Sequence, residues 1–374
     1  MLSFCRSCNS SNLELFTIRE KFPLYIWPLP RNKSTRLEDI HLYLCVDCGY
    51  MQLQNMDENT ISEIYGDKAY NIESTEQNKN RYKILTADDN NKFENTSTLE
   101  IGGGRNTFVG MLPDSSKNWV ADFNIDEGVK NLVDGSYIGD FIAMEIEQSK
   151  FDYVFMYHTL EHFNDPSGAL KKSKSILKSS GKLIIEVPNF EYEVKTRPYY
   201  TVFHMHISLF TKKSLLSMLR KHGFDCTNIY VNDDVLLGEF NLPDKSFHKN
   251  HKNHKNHSVR ILNDLEKNIR RSFEDLSDIL KKIKAEKIAI FGAGGSATLF
   301  LHNFPFIMEQ ISFAIDSDQK KLGHFLCNGK IPIISPDKIE EQEIKYIIVL
   351  DSSHIEFLKY KKVKFIDIGK IYDI

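Results

Sequence analysis

Apolar and polar positions change their spacing several times along this chain, and each change marks a different kind of element. From Ser97 onward, short apolar runs suited to buried strands ("TLEIG", "WVADF", "YVFMYH" and "KLIIEVP") alternate with stretches whose apolar residues recur every three or four positions. "DPSGALKKSKSILKSS" and "TKKSLLSMLRKHG" are the clearest of these helical stretches. Such alternation predicts a parallel sheet with helical crossovers. A second series follows, with strands expected at "KIAIFGA", "ISFAID", "KYIIVLD" and "VKFIDIG". A long amphipathic helix leads into it, with Val259, Leu262, Leu265, Ile269, Phe273, Leu276, Leu280 and Ile283 at helical spacing. Between the two series lies "HKNHKNHKNH", His248 to His257. This polar repeat buries too little to form a core, so it reads as a solvated linker, with metal binding by its histidines as the alternative. Ahead of both series are strand-like runs such as "HLYLCVDCGYMQLQ" and a polar helical stretch, "NIESTEQNKNRYKILTADDN". The expected parts are residues 1–72, 73–245, 246–284 (linker and long helix) and 285–374.

Composition adds exclusions. The 374 residues carry a net charge of −3, which offers no general attraction for nucleic acid. No apolar run approaches the roughly 18 residues of a membrane span, and the polar N-terminus does not read as a signal peptide. A cytoplasmic protein acting on a small molecule is expected. Four of the six cysteines form two C-x2-C pairs, Cys5/Cys8 and Cys45/Cys48, separated by 36 residues. In a reducing compartment this pattern reads as one closed tetrahedral zinc site, structural because four thiolates leave no open position.

The turn "TLEIGGGRNTF" carries the candidate chemistry. It places Gly102 and Gly104 after a strand, and Glu100 two residues before the first glycine. A dinucleotide fingerprint would put glycine, not Thr107, three positions beyond Gly104. An acidic neighbour would also repel a pyrophosphate. S-Adenosylmethionine has a cationic end, so Glu100 suits its ammonium. Asp122 at the next strand end suits the ribose hydroxyls, and Asp140 the adenine. With "FDYVFMYHTLEHFNDP", these residues resemble the class I S-adenosylmethionine-dependent methyltransferases; Asn106 stands where that motif has a third glycine.

Nearly the whole chain resembles the three-domain sugar C-methyltransferases, through the cysteine pairs, the methyltransferase residues, and a tail with "FGAGGSATLFL" and "FAIDSDQKKLGHFLCNGKIPIISPDKI". The resemblance implies an α/β protein: a class I methyltransferase Rossmann-like core, an N-terminal zinc-binding subdomain and a C-terminal Rossmann-like domain. It implies C-methylation of a nucleotide-linked keto-deoxysugar, with both outer domains helping to form the sugar-nucleotide pocket.

Carbon methylation beside a ketone needs a base for the α-proton and a group to stabilise the enolate oxygen. Histidine suits the first task. "YHTLEH" offers His158, Glu161 and His162 at a strand end; His158 is also placed beside the cofactor. "YYTVFHMHISLF" offers His204 and His206, on one face if the backbone is extended. The family's tyrosine-histidine-glutamate-histidine block reads Phe203-His204-Met205-His206 here, and the resemblance maps its last histidine to His206 and the fourth-strand histidine to His162. A family tyrosine maps to Tyr70 or Tyr65. Loss of the glutamate leaves O- or N-methylation as an alternative. In the second turn, Gly292, Gly294 and Gly295 precede a helix and Asp316 ends the next strand. A diphosphate contact is expected there. An NAD-dependent sugar oxidoreductase and an inactive sugar-nucleotide-binding module remain as further alternatives.

Overall fold

The computed structural model describes residues 2–65, 75–232, 234–243, 253–283, 287–358 and 362–369. Tyr70, His248 and His251 lie outside them. The chain forms two compact units. One comprises Met1–Phe16, Leu42–Phe190 and Met205–Ser258; the other comprises Thr17–His41, Glu191–His204 and Val259–Ile374.

Three strands, β1 (Leu13–Pro23), β2 (Leu37–Cys45) and β3 (Met51–Leu53), are followed by helices α1 (Glu58–Tyr65) and α2 (Thr75–Leu85). The first α/β series then runs β4 (Ser97–Ile101), β5 (Lys117–Asp122), α3 (Glu127–Lys130), β6 (Gly135–Ile138), β7 (Phe151–Tyr157), α4 (Pro166–Ile176) and β8 (Leu177–Pro188). After α5 (Phe190–Thr196) and β9 (Ser208–Leu209) come α6 (Lys212–Lys221), β10 (Asp225–Asn232) and β11 (Val235–Asn241).

The large sheet has the order β10-β11-β8-β7-β4-β5-β6. β4 to β8 are parallel, and β11 runs antiparallel to both β8 and β10. From β4 the chain builds outward through β5 and β6, then returns to place β7 on the other side of β4. The carboxyl ends of β4 and β7 therefore flank the point where strand order reverses, where open α/β sheets bind ligands. Two features depart from the sequence pattern. The helical spacing after Asp165 runs on to Ser180, but α4 stops at Ile176 because Leu177 pairs with Phe151 and is buried as the start of β8. The β10–β11 pair has no clear alternation to announce it; its buried Glu239 is neutralised by Lys92 at 2.7 Å.

The end of the histidine repeat is not a solvated linker. α7 (Lys255–Lys282) begins within it. Asn253 Nδ2 donates to the Val46 carbonyl (3.1 Å), His254 N to Cys48 O (3.0 Å) and Ser258 Oγ to Gly49 O (2.6 Å). The described end of the repeat thus docks on the second cysteine turn.

In the second unit, β12 (Ile288–Phe291), α8 (Gly295–Asn303), α9 (Pro305–Met308), β13 (Ile311–Ile315), β14 (Phe325–Leu326), β15 (Ile331–Ile334), β16 (Tyr346–Val349), α10 (Ile355–Leu358) and β17 (Lys364–Asp367) follow one another. Their sheet has the order β14-β15-β13-β12-β16-β17, parallel except for β14. Ala297, Phe300 and Leu301 of α8 pack on its face with Ile290 and Ala314.

Candidate active site

β4 delivers the chain into the glycine turn with Gly102 at φ +89°, a conformation L side chains rarely adopt. A Cβ at Gly102 would sit 2.3 Å from Thr159 Oγ1, and one at Gly104 would sit 2.0 Å from the Asn124 carbonyl oxygen. Both glycines are thus required by the packing of the turn itself. Glu100 is buried, and its Oε2 accepts from Thr107 Oγ1 (2.5 Å), Phe108 N (2.7 Å) and Val109 N (3.1 Å). That oxygen closes the loop from within, a task the expected ammonium contact did not anticipate. Asp122 Oδ2 accepts from Gly104 N (2.9 Å). Burial pushes the Asp122 carboxyl up, against the pull of that N–H. Asp140 is exposed just beyond β6. Gly102, Asp122, Asp140 and His158 thus lie at the carboxyl ends of four adjacent parallel strands. A glycine turn flanked by two carboxylates fits a cationic ligand that also carries hydroxyls.

Beyond β7 the residues around Thr159 carry the acid–base groups. Thr159 Oγ1 donates within reach of the Ile101 (3.1 Å) and Tyr157 (2.9 Å) carbonyls, tying this segment to β4. His158 takes the left-handed conformation, φ +46°. Its Nε2 lies 3.2 Å from Glu186 Oε1 and its Nδ1 3.5 Å from Glu161 Oε1. Arg81 also binds Glu186, through Nε at 3.0 Å, and lies over the Tyr157 ring. Charges therefore alternate through Arg81, Glu186, His158 and Glu161. Burial pushes His158 down, but Glu161 and Glu186 outweigh it and bring the imidazole up to about 10. Burial pushes Glu186 up, and His158 with Arg81 overcomes this, bringing it down to about 2. For Glu161 the burial cost is likewise overcome, chiefly by His158 and His162, and its carboxyl stays below the usual range.

His162 Nδ1 is 2.7 Å from the Met205 carbonyl and 2.9 Å from Tyr65 Oη. A carbonyl only accepts, so Nδ1 carries the proton and Nε2 presents its lone pair. The His206 ring stands 5.0 Å from that of His162. Burial, reinforced by repulsion from His162, lowers His206 to about 3, leaving it a neutral imidazole at ordinary pH. A turn at His204–Met205 breaks the extended backbone on which a shared face for His204 and His206 depended. The His204 Nε2–H is shared between the Phe22 and Glu38 carbonyls, each at 3.2 Å, a cross-link between β1 and β2. Tyr65, the alternative to Tyr70, therefore joins His162, while Arg81 and Glu186 enter the network unannounced. A lone glutamate inside the apolar run "LIIEVP" was the available signal for Glu186.

The four cysteine pair members also converge. Cys5 Sγ lies 3.6 Å from Cys48 Sγ and Cys8 Sγ 3.5 Å from Cys45 Sγ, with all four within 4.8 Å of one another. Ligands on one tetrahedral zinc, with Zn–S near 2.3 Å, stand about 3.8 Å apart, so the set fits the metal. Each pair is followed by a residue in the left-handed conformation, Asn9 (φ +61°) and Gly49 (φ +77°). Asn9 N donates to Cys5 O and Gly49 N to Cys45 O, each at 2.8 Å. The two turns are thus the same motif built twice.

In the second unit, Gly292 N donates to Ile315 O (2.8 Å), and Gly294 caps α8. A Cβ at Gly292 or Gly294 would meet nothing within 4 Å, whereas one at Gly295 would meet Ile26 Cδ1 at 2.6 Å. Asp316 accepts from Ala293 N (2.8 Å), Asp318 N (2.9 Å) and Lys321 Nζ (2.8 Å). Three donors thus converge on the carboxylate that a dinucleotide ribose would use.

Strand order, reversal point and glycine turn are those of a Rossmann-like α/β core. Residues 69–229 match the family described as a methyltransferase domain, and residues 245–371 match the C-methyltransferase C-terminal domain. The chain thus carries a methyltransferase domain followed by a C-methyltransferase C-terminal domain. The C-methyltransferase NovU of Streptomyces niveus is 21% identical over 258 residues, covering 65% of this chain and 60% of the relative's own length. Among solved structures, Burkholderia thailandensis 1,6-didemethyltoxoflavin-N1-methyltransferase is 14% identical with a TM-score of 0.39, over 53% of this chain and 98% of that one. An S-adenosylmethionine-dependent methyltransferase of Aquifex aeolicus is 13% identical with a TM-score of 0.33, over 44% and 98%. Among the described residues, no helix is long and apolar enough to cross a membrane.

Proposed function

We propose that the protein transfers a methyl group from S-adenosylmethionine to a carbon beside the ketone of a nucleotide-linked deoxysugar, in the cytoplasm. The observation that carries this reading is one chain holding both a methyltransferase domain and a C-methyltransferase C-terminal domain. The similarity to NovU supports it. Asp122, Asp140 and the backbone of the Gly102–Gly104 turn would hold the donor. S-Adenosylmethionine supplies a methyl group activated on a positively charged sulfur, and its carbon–sulfur bond breaks as the acceptor's new bond forms. His162 Nε2 takes the proton from the acceptor carbon, and the Nδ1–H bond to Met205 steadies the imidazolium that results. Tyr65 helps to hold that ring in place. His158, charged between two glutamates, fixes the positions of Glu161 and Glu186. The four cysteines would hold a structural zinc ion. Gly294, where the backbone is open to close approach, would face the sugar nucleotide's diphosphate.

The test is incubation with methyl-labelled donor and a panel of nucleotide-linked keto- and hydroxysugars, followed by NMR of the product. A new carbon-bound methyl beside the ketone supports the reading. Met205 in place of the family's glutamate favours a second reading, O- or N-methylation, which needs only one base. A methyl on a heteroatom would select it.

A further inference from the structure

We infer that Arg6 and Lys221 offset the negative charge of the cysteine site, so that its sulfurs hold zinc without themselves accepting methyl groups. Four thiolates on one divalent ion leave two negative charges uncompensated. Asp47, between Cys45 and Cys48, adds another, held by Ser10 Oγ and by Asn12 Nδ2 (2.9 Å). Against these stands Arg6, between Cys5 and Cys8. It is 9% exposed, and its guanidinium reaches neutral acceptors: the carbonyls of Leu53 (2.7 Å), Ile207 (3.1 Å) and Asn164 (3.2 Å), and Asn55 Oδ1 (2.7 Å). Among the described residues these partners include no carboxylate. A guanidinium buried away from any anion is costly, and the Cys5 thiolate attracts this one. Lys221, the last residue of α6, is the second cation. Its Nζ donates to Ser7 O (2.6 Å), the carbonyl next to Cys8.

Cys8 is where such protection counts. Cys5, Cys45 and Cys48 are at most 5% exposed, whereas Cys8 is only half-buried and can meet a small electrophile. Thiolates bound to zinc are already deprotonated, so a neighbouring cation cannot activate them by releasing a proton. It only lowers the electron density that the sulfur offers. A chain that handles an activated methyl group would otherwise carry four sulfur nucleophiles in competition with its acceptor. The inference rests on the zinc reading of the four cysteines and is independent of which acceptor the protein methylates.

The experiment exposes the full-length, zinc-loaded protein to methyl methanesulfonate, whose methyl group bonds to sulfur as methanesulfonate leaves. Peptide mass spectrometry times methylation at each cysteine, and a chelating dye times zinc release. Cys226, half-buried and outside the site, is the internal reference. Arg6→Gln should be methylated at Cys8 and lose zinc about tenfold faster than the parent, and Lys221→Gln about threefold faster. Arg6→Lys keeps the charge without the fork of hydrogen bonds, and should stay near the parent's rate. The inference is overturned if the zinc-loaded Arg6→Gln and Lys221→Gln variants both react at the parent's rate. It is also overturned if Arg6→Lys reacts as fast as Arg6→Gln, because hydrogen bonds rather than charge would then protect the sulfur. Should Arg6→Gln fail to fold, Lys221→Gln decides alone, and a parental rate at Cys8 overturns the inference. Elemental analysis keeps the two readings apart. A parent chain without zinc removes the zinc reading and the inference with it; a zinc-loaded parent whose variants react alike removes only the inference.

Discussion

In the proposed mechanism His162 carries the acid–base chemistry, and its neighbours make separable predictions. Replacing it with glutamine removes the proton acceptor, so kcat should fall by about 10²–10⁴. Tyr65→Phe removes one hydrogen bond at Nδ1 but keeps the Met205 contact, and a fall of about fivefold in kcat is expected, equivalent to about 1 kcal/mol. Steady-state rates with labelled donor read both; equal losses would mean that Tyr65 does more than hold the ring. Glu186 makes a prediction about stability. Its carboxyl falls from an ordinary 4.5 to about 2, so the folded state holds the charge more readily than the unfolded chain. The resulting stabilisation, on the order of 3 kcal/mol, is fully present above about pH 4.5 and is lost as pH falls toward 2. Glu186→Gln should lack this acid limb. It should also lose about 3–5 kcal/mol near neutrality, because Arg81 and His158 stay buried without their shared anion. Urea unfolding followed by the fluorescence of Trp119, in a Trp27→Phe background, measures both. An acid limb unchanged in Glu186→Gln would assign it to other carboxylates.

At the scale of elements, the two glycine turns look alike in sequence and differ in what demands their glycines. Gly102→Ala meets Thr159 and a positive φ, and should cost about 1–3 kcal/mol. Adding Thr159→Ala removes the clash but not the backbone strain, so rescue should be partial; full rescue in thermal unfolding would show that strain contributes nothing. Gly294→Ala meets no neighbouring atom, so the melting temperature should stay unchanged while KM for a nucleotide-linked sugar rises if the diphosphate approaches there. An unchanged KM would leave that turn structural. The contrast also shows what was legible beforehand. The strand and turn from residue 97 could be read from apolar spacing, but the helix such a turn opens shrinks here to one 3-10 turn, Val109–Met111, and the reason for the glycines could not be read, because Thr159 and Asn124 are distant in sequence and arrive only through the sheet. Helix α4 was legible at its start, where Asp165 and Pro166 make a cap, and not at its end, where pairing with Phe151 decides. Arg81 was invisible in a polar helix whose sequence does not say which cation is buried. His162 and His206 were legible through a family motif; the orientation of His162 depends on the Met205 carbonyl, which leaves no trace in side-chain identity.

For the whole molecule, the cysteine turns and the methyltransferase sheet share one compact unit and one apolar core. Cys5, Cys45 and Cys48 pack in the same cluster as Tyr50, Phe210, Leu99 and Met156. Arg6, between the first two cysteines, reaches further, donating to the carbonyls of Leu53 (2.7 Å), Ile207 (3.1 Å) and Asn164 (3.2 Å). Ile207 follows His206, and Asn164 lies two residues beyond His162. Asn164 also holds the loop before α1, accepting from Met56 N and donating to Met56 O. A zinc ion at the four thiols would therefore fix the turn from which Arg6 anchors both histidine segments. Removing it should do more than unfold a local appendage. Chelation, or Cys5→Ser, should lower the melting temperature of the entire first unit and weaken S-adenosylmethionine binding at least tenfold, because the His162 segment, which Thr159 ties to the end of β4 beside the donor turn, loses its tether. Calorimetric donor titration before chelation, after it, and after zinc is restored reads this directly. Donor affinity unchanged in the zinc-free protein would mean that the cysteine turns fold beside the methyltransferase core without supporting it.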